Sequence, residues 1–215
     1  MEKTFVIGDI HGCDQLLDRL LARIAPDLTR DVLVFLGDYI NRGPGSRAVV
    51  SRLIALRRLS PQMITLMGNH EQVFLDFLAG RRQEFFLRIG GRETLASYGL
   101  TEYTPEAALS SVPTEHLDFF NELLLSWEDE ENIYVHAGLE PGVHLAQQST
   151  EWLLWARERF LQLDVAFAKR VIHGHTPVAR PQVTPHRISL DTGAIYGGPL
   201  TCLILPEERF VSVVA

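Results

Sequence analysis

Over the first seventy residues, short apolar runs alternate with amphipathic stretches. Residues 4–7 (Thr-Phe-Val-Ile), 32–36 (Val-Leu-Val-Phe-Leu) and 63–67 (Met-Ile-Thr-Leu-Met) have strand length and strand composition. Between the first two, Leu16, Leu17, Leu20, Leu21 and Ile24 fall on one helical stripe that begins near Asp14 and is stopped by Pro26. Residues 46–58 repeat the pattern with Val49, Val50, Leu53, Ile54 and Leu56, and Pro61 follows. This alternation predicts two successive βαβ units of about thirty residues each. Right-handed crossovers then bring the three strand ends side by side on one edge of a sheet. Those ends read Gly8-Asp9, Gly37-Asp38 and Gly68-Asn69. Ligands of open α/β sheets collect outside the carboxyl ends of the strands, so Asp9, Asp38 and Asn69 stand where chemistry is expected.

Apolar residues at helical spacings then dominate, divided by Gly90-Gly91, Gly99 and Pro113. They predict a helical insertion at about 72–131 beside the sheet, with a lid over the strand ends as the alternative. Strand-like runs return at 132–135, ending in His136, and at Val171-Ile172, leading to His173-Gly174-His175. Residues 149–163 read as a helix or a pair of turns. The segments 187–191, 200–205 and 210–214 read as β-hairpin material, with turns at Gly197-Gly198-Pro199 and Pro206-Glu207-Glu208. The pattern as a whole is α/β, one domain spanning 1–215.

Composition narrows the function. A chain of 215 residues buries enough apolar surface to need no staples, and Cys13 and Cys202 suit a reducing compartment. Twenty Lys and Arg against 27 Asp and Glu argue against nucleic acid and membrane surfaces as partners, so an anionic ligand must be attracted locally. The N-terminal apolar run is too short for a signal-peptide core, which points to a cytoplasmic protein.

The strand-end residues suggest metal chemistry. An extended Asp9-Ile10-His11 would turn both polar side chains to one side; the alternative is a capping Asp with a solvated His. Asp38 can offer one oxygen to each of two cations. His136 and His175 would each pass for structural histidines alone, but they extend a set of carboxylate, amide and imidazole donors. That set suits manganese, iron or zinc. Arg81, Arg82, Arg88 and Arg92 would favour a phosphorylated ligand or form a solvated helix face.

Taken together, Gly8-Asp9-Ile10-His11-Gly12, Gly37-Asp38-Tyr39-Ile40-Asn41-Arg42-Gly43, Gly68-Asn69-His70-Glu71, His136-Ala137-Gly138 and Gly174-His175-Thr176 resemble the ordered signature of the PPP-type metallophosphoesterases. With Trp155-Ala156-Arg157 and the chain length, the resemblance is to the compact bacterial and phage-lambda-like protein serine/threonine phosphatases. It implies a four-layer α/β-β-α sandwich holding two divalent ions, manganese foremost and iron or zinc as alternatives. By the same resemblance Asp9, His11 and Asp38 hold the first ion, and Asp38, Asn69, His136 and His175 the second. A hydroxide between the ions is the implied nucleophile for in-line attack on a phosphomonoester. Arg42 and Arg157 would grip the phosphate, His70 would protonate the leaving group, and His173 is not counted as a ligand. For Arg157 the alternative is an arginine on an amphipathic helix.

One position departs from the pattern. Asn41 stands where the family carries the aspartate that partners the catalytic histidine. Asparagine can still accept a hydrogen bond but brings no charge to favour imidazolium. The resemblance thus implies hydrolysis of phosphoserine and phosphothreonine in proteins, with phosphotyrosine as a further substrate. Two alternatives are symmetrical hydrolysis of diadenosine tetraphosphate and, on the strength of Asn41, a weakly active or inactive metal-binding scaffold for phosphorylated partners.

Overall fold

The computed structural model describes residues 2–162 and 165–215. The first sheet contains β1 (Thr4–Ile7), β2 (Val32–Phe35) and β3 (Met63–Thr65), all parallel, extended by the hairpin of β9 (Leu200–Leu205) and β10 (Arg209–Val213). Its order is β10-β9-β1-β2-β3, with β9 antiparallel to β1. The crossovers are α1 (Asp14–Ile24) and α2 (Ser46–Leu59), as the leucine and valine stripes predict.

The second sheet has the order β4-β5-β6-β8-β7, formed by β4 (Ser126–Glu128), β5 (Asn132–Val135), β6 (Arg170–His173), β7 (Gln182–Val183) and β8 (Arg187–Ser189). Strands β5, β6 and β8 are parallel, and the short edges β4 and β7 are antiparallel.

Strand periodicity explains why the sheets stack. In β1 and β2, Val6 and Val34 face the second sheet and meet Tyr134, Ile172, Ile188 and Leu190. Their neighbours Phe5, Ile7, Leu33 and Phe35 face the other way into a cluster with Leu17, Leu20, Val50 and Leu53. On the far side of the second sheet, Ile133, Val135 and Val171 pack on Leu153, Leu154 and Phe160. These last come from α8 (Thr150–Trp155) and α9 (Glu158–Leu161), so the layers run α-β-β-α. Leu163, included in the helical stretch read from the sequence, lies outside the described residues.

Three expectations change. The inserted helices, α3 (Asn69–Leu78), α4 (Gln83–Phe86), α5 (Arg92–Ser97), α6 (Pro105–Ser111) and α7 (Thr114–Asn121), end before β4 rather than continuing to residue 131. Trp127 of β4 stacks on Tyr134 at 5.0 Å, which anchors this polar stretch as a sheet edge. The helices do not form a lid: Phe74, Phe77, Phe86, Phe119 and Phe120 join the same core as α2, so they widen the first helical layer. Finally, Arg187–Ser189 leaves the C-terminal hairpin and pairs with β6, because Ile188 and Leu190 complete the core between the sheets. No described helix is long and apolar enough to cross a membrane.

Candidate metal centre

The strand ends converge as the βαβ pattern predicts, but through turns rather than extended backbone. The amides of Ile10 and His11 both donate to Asp38 O, at 3.1 and 2.8 Å, and Gly12 N donates to Tyr39 O at 2.8 Å. This lacing bends the chain at His11 (φ 47°), so the extended Asp9-Ile10-His11 expected from the sequence is not formed and Ile10 enters the helix-side core. Of the eight non-glycine residues with positive φ among the described residues, five are His11, Asp38, Asn41, Arg42 and His175. Such strain collects where surrounding structure over-determines the backbone, typically at functional sites.

Glu71 supplies that determination for the central loop. Its buried carboxylate accepts from Asp38 N (2.8 Å), Tyr39 N (2.8 Å), Ile40 N (3.2 Å) and Gly68 N (2.9 Å). The loop after β2 is thereby tied to the first turn of α3, which begins at Asn69. Asp38 Oδ1 in turn accepts from His70 N at 3.1 Å, a carboxylate at the positive end of a helix. A Cβ on Gly68 would stand 2.1 Å from Asp38 Oδ1, so only glycine permits this approach.

Two groups of donor atoms share Asp38. Those of Asp38, His136 and His175 lie within 4.8 Å of one another, as do those of His11, Asp38 and His70. His136 Nε2 is 3.5 Å from Asp38 Oδ1, 3.1 Å from Asn69 Oδ1 and 3.2 Å from His175 Nδ1. His11 Nε2 is 3.4 Å from Asp38 Oδ2. His11 Nδ1 and His136 Nδ1 each face a backbone carbonyl, Ile40 O and Leu36 O, at 2.9 Å. Donating there fixes the tautomer and leaves Nε2 lone pairs pointing into the centre, as metal-ligating histidines require. Asp9, expected beside His11, accepts from His175 N at 3.0 Å and lies outside both groups. His70 Nε2 lies 3.9 Å from Asp38 Oδ2, close enough to be grouped with the ligands. His173 faces away, bonding Ser189 Oγ at 2.8 Å.

The donors fit divalent cations. Burial first, then Asp191 and Asp38, push the Asp9 carboxyl well above its ordinary range, and burial lifts Asp38 to about 7. Burial also lowers His136 to about 4, so its imidazole is neutral and able to ligate. Arg42 and Arg157 lower the Asp38 carboxyl less than burial raises it, so the crowded acids still call for the charge that divalent ions would provide. Asp191 is a further buried acid, interacting with Asp9 and Asp38, that the sequence reading left inside a hairpin strand. Its signal was present: Leu190-Asp191 closes another strand-like run before Gly193.

Beside the centre stand the proton and phosphate groups. Asn41 Nδ2 is 2.8 Å from His70 Nδ1, while Asn41 Oδ1 accepts from Thr94 Oγ1 at 2.7 Å. The expectation that Asn41 would accept from His70 is therefore reversed: Thr94 of α5 occupies the oxygen and turns the amide nitrogen toward the imidazole. No local pattern marked Thr94, which is 53 residues away in sequence. Arg42 contacts His11 Nε2, and its amide donates to Gly90 O at 3.1 Å. Arg157 sits in the break between α8 and α9, not on a helix face, with Nε 3.2 Å from His175 Nε2. The remaining arginines behave as a surface set: Arg81 and Arg82 pair with Asp76, and Arg92 covers Tyr103.

Comparisons with known proteins agree with this geometry. The family model described as calcineurin-like phosphoesterase matches residues 3–196. Serine/threonine-protein phosphatase 1 of Salmonella typhimurium is 31% identical over 202 residues, covering 92% of this chain and 89% of that protein. An asymmetrical bis(5'-nucleosyl)-tetraphosphatase, PrpE of Halalkalibacterium halodurans, is 26% identical across 97% of this chain and 92% of its own length. Among solved structures, a putative diadenosine tetraphosphatase superposes with a TM-score of 0.75 at 24% identity, covering 100% of this chain and 94% of the other. With the family model spanning residues 3–196 and a relative 31% identical over 92% of the chain, the chain belongs to the calcineurin-like phosphoesterase family.

Proposed function

We propose that this phosphoesterase is a metal-dependent phosphoprotein phosphatase, acting on phosphoserine and phosphothreonine and also on phosphotyrosine, in the cytoplasm. The observation carrying the reading is that Asp38 belongs to both donor groups while Arg42 and Arg157 reach histidines of the two groups from outside. Asp9, His11 and Asp38 would hold one divalent ion, and Asp38, Asn69, His136 and His175 the other, with manganese as the favoured metal. When bound, such ions acidify water and draw charge from phosphate oxygens. Arg42 and Arg157 present guanidinium groups suited to bidentate phosphate binding and orient the ester for in-line displacement. His70, with Asn41 against Nδ1, carries its proton on Nε2, the atom facing Asp38 and the reacting region. As general acid it would deliver that proton to the departing alkoxide from the imidazolium form, which an uncharged Asn41 does not favour. The 31% identity to a protein phosphatase supports the substrate class.

The PrpE relatives favour a second reading, hydrolysis of dinucleoside tetraphosphates. Their name specifies asymmetrical cleavage, whereas the sequence motifs alone suggested the symmetrical form. The test is turnover by manganese-loaded protein of a phosphoserine peptide, a phosphotyrosine peptide and diadenosine tetraphosphate. Phosphate release from the peptides at the higher kcat/KM is the expected result. Preferential formation of ATP and AMP would establish the second reading in asymmetrical form, and ADP alone the symmetrical form. Metal binding without turnover of any would make the protein a scaffold.

A further inference from the structure

The loop after Asp191 brings an aromatic side chain to the metal centre. Tyr196 ends the turn Ala194–Tyr196 and is 64% exposed, the most exposed aromatic among the large apolar residues. It contributes nothing to the core, yet its position is closely set. Gly193 N donates to Asp191 Oδ1 (2.9 Å), Tyr196 N to Gly193 O (2.9 Å) and Gly198 N to Gly193 O (3.0 Å). The turn is therefore tied back to a carboxylate of the centre itself.

The ring also has a partner in the site. The Arg42 guanidinium lies over it, with Cζ 5.4 Å from the centroid, a cation–π arrangement. Arg42 contacts His11, and the His11 ring packs edge-on against His70 at 4.7 Å. This line of contacts, from His70 through His11 and Arg42 to Tyr196, connects the ring to the proton and phosphate groups of the site. Beside the same loop opens a cavity of about 380 Å³ lined by Gly12, Cys13, Leu16, Pro44, Ala194 and Ile195. Its wall is mainly apolar, with Asp14 the one carboxylate side chain among the described residues that line it.

We infer that Tyr196 is a specificity-determining residue: an aromatic platform that stacks on a planar aryl leaving group while Arg42 holds the phosphate. The inference deepens the phosphatase reading and rests on it. An exposed ring braced from one side by a cation offers its remaining surface to another flat group, and stacking of that kind is sequence-independent and modest. A small alkyl leaving group, such as serine, would pass the ring without contact. Tyr196 would therefore add aryl phosphate binding to a site that handles alkyl phosphates without it.

The test compares binding of phenylphosphonate and methylphosphonate, whose P–C bonds resist hydrolysis, to the manganese-loaded full chain by calorimetry. Wild type should bind phenylphosphonate about three- to tenfold more tightly, the range of a single aromatic contact. In Tyr196→Ala this ratio should collapse toward one, and in Tyr196→Trp it should persist. A ratio near one in wild type, or one unchanged in Tyr196→Ala, would overturn the platform. Equal weakening of both phosphonates would also overturn it, because Tyr196 would then act only by bracing Arg42. A third arm compares AMP with ribose 5-phosphate. A preference there that depends on Tyr196, without one for phenyl, would reassign the ring to a nucleobase and refute the aryl assignment. Failure of the phosphatase reading is seen separately, as absent peptide turnover, and leaves the phosphonate ratio readable.

Discussion

At the scale of residues, the proton-delivery pair holds the most consequential detail. Burial, with His11 as the next cause, keeps His70 well below the ordinary imidazole range, so it is rarely cationic. Asn41 offers it an amide nitrogen instead of a carboxylate because Thr94 has taken the oxygen. Asn41→Asp would let one carboxylate accept from both Thr94 and His70, restoring a charge beside the imidazole. The expected outcome is a kcat gain of about 10- to 100-fold on a phosphoserine peptide, within the span of general acid catalysis. On nitrophenyl phosphate, whose leaving group needs little proton assistance, the gain should stay below about threefold. Equal gains on the two substrates would remove His70 from proton delivery.

At the scale of elements, two contacts hold the loop after β2. Glu71 opens α3 and gathers four backbone amides, three of them from residues 38–40. In Glu71→Gln an NH₂ group must face donors that the carboxylate had satisfied, leaving buried amides unpaired at about 2 to 4 kcal/mol. Urea denaturation should register that loss, and calorimetric manganese affinity should fall with it because Asp38 loses its frame. The second contact comes from the segment Leu87–Gly91, where Gly90 adopts φ 102° and meets Arg42 N. A Cβ there would stand 2.4 Å from that nitrogen. Gly90→Ala should leave the fold intact but displace Arg42, lowering kcat/KM about tenfold or more through lost phosphate orientation. Unaltered kcat/KM would show that the inserted helices do not position Arg42.

The whole molecule must carry a centre in which Asp9, Asp38 and Asp191 are all buried. Removing divalent ions leaves their mutual repulsion in place, so the metal-free protein should be the less stable form. Manganese at about a hundred times its Kd should add about 2.7 kcal/mol of stability. For a chain of this length that is a rise in Tm of roughly 5 to 10 °C, reversed by a chelator. The rise should vanish in Asp38→Ala, since Asp38 serves both donor groups. Its survival there would place the ions elsewhere.

How far each feature could be read from the chain depended on the range of the forces that set it. The first three strands, their two crossover helices and the Gly-Asp, Gly-Asp and Gly-Asn endings follow from local periodicity and turn chemistry, and they were legible at once. His136 and His175, which follow apolar strands, were legible only as members of the ordered set, since each alone passes for a structural histidine. The edge strand at Trp127, the transfer of Ile188 to the second sheet and the helices' role as flank rather than lid depend on which hydrophobic faces find partners. No local pattern contains that information. The same holds within the site, where Asp191 converges on Asp9 from a different sheet, Thr94 reorients Asn41 from an inserted helix and Tyr196 reaches Arg42 from the far end of the chain. By itself the sequence determined which donors are available and that strand ends present them, since period and punctuation act between near neighbours. Only the tertiary structure decided their mutual distances, tautomers and backbone strain, because those arise from packing between segments that the chain keeps far apart.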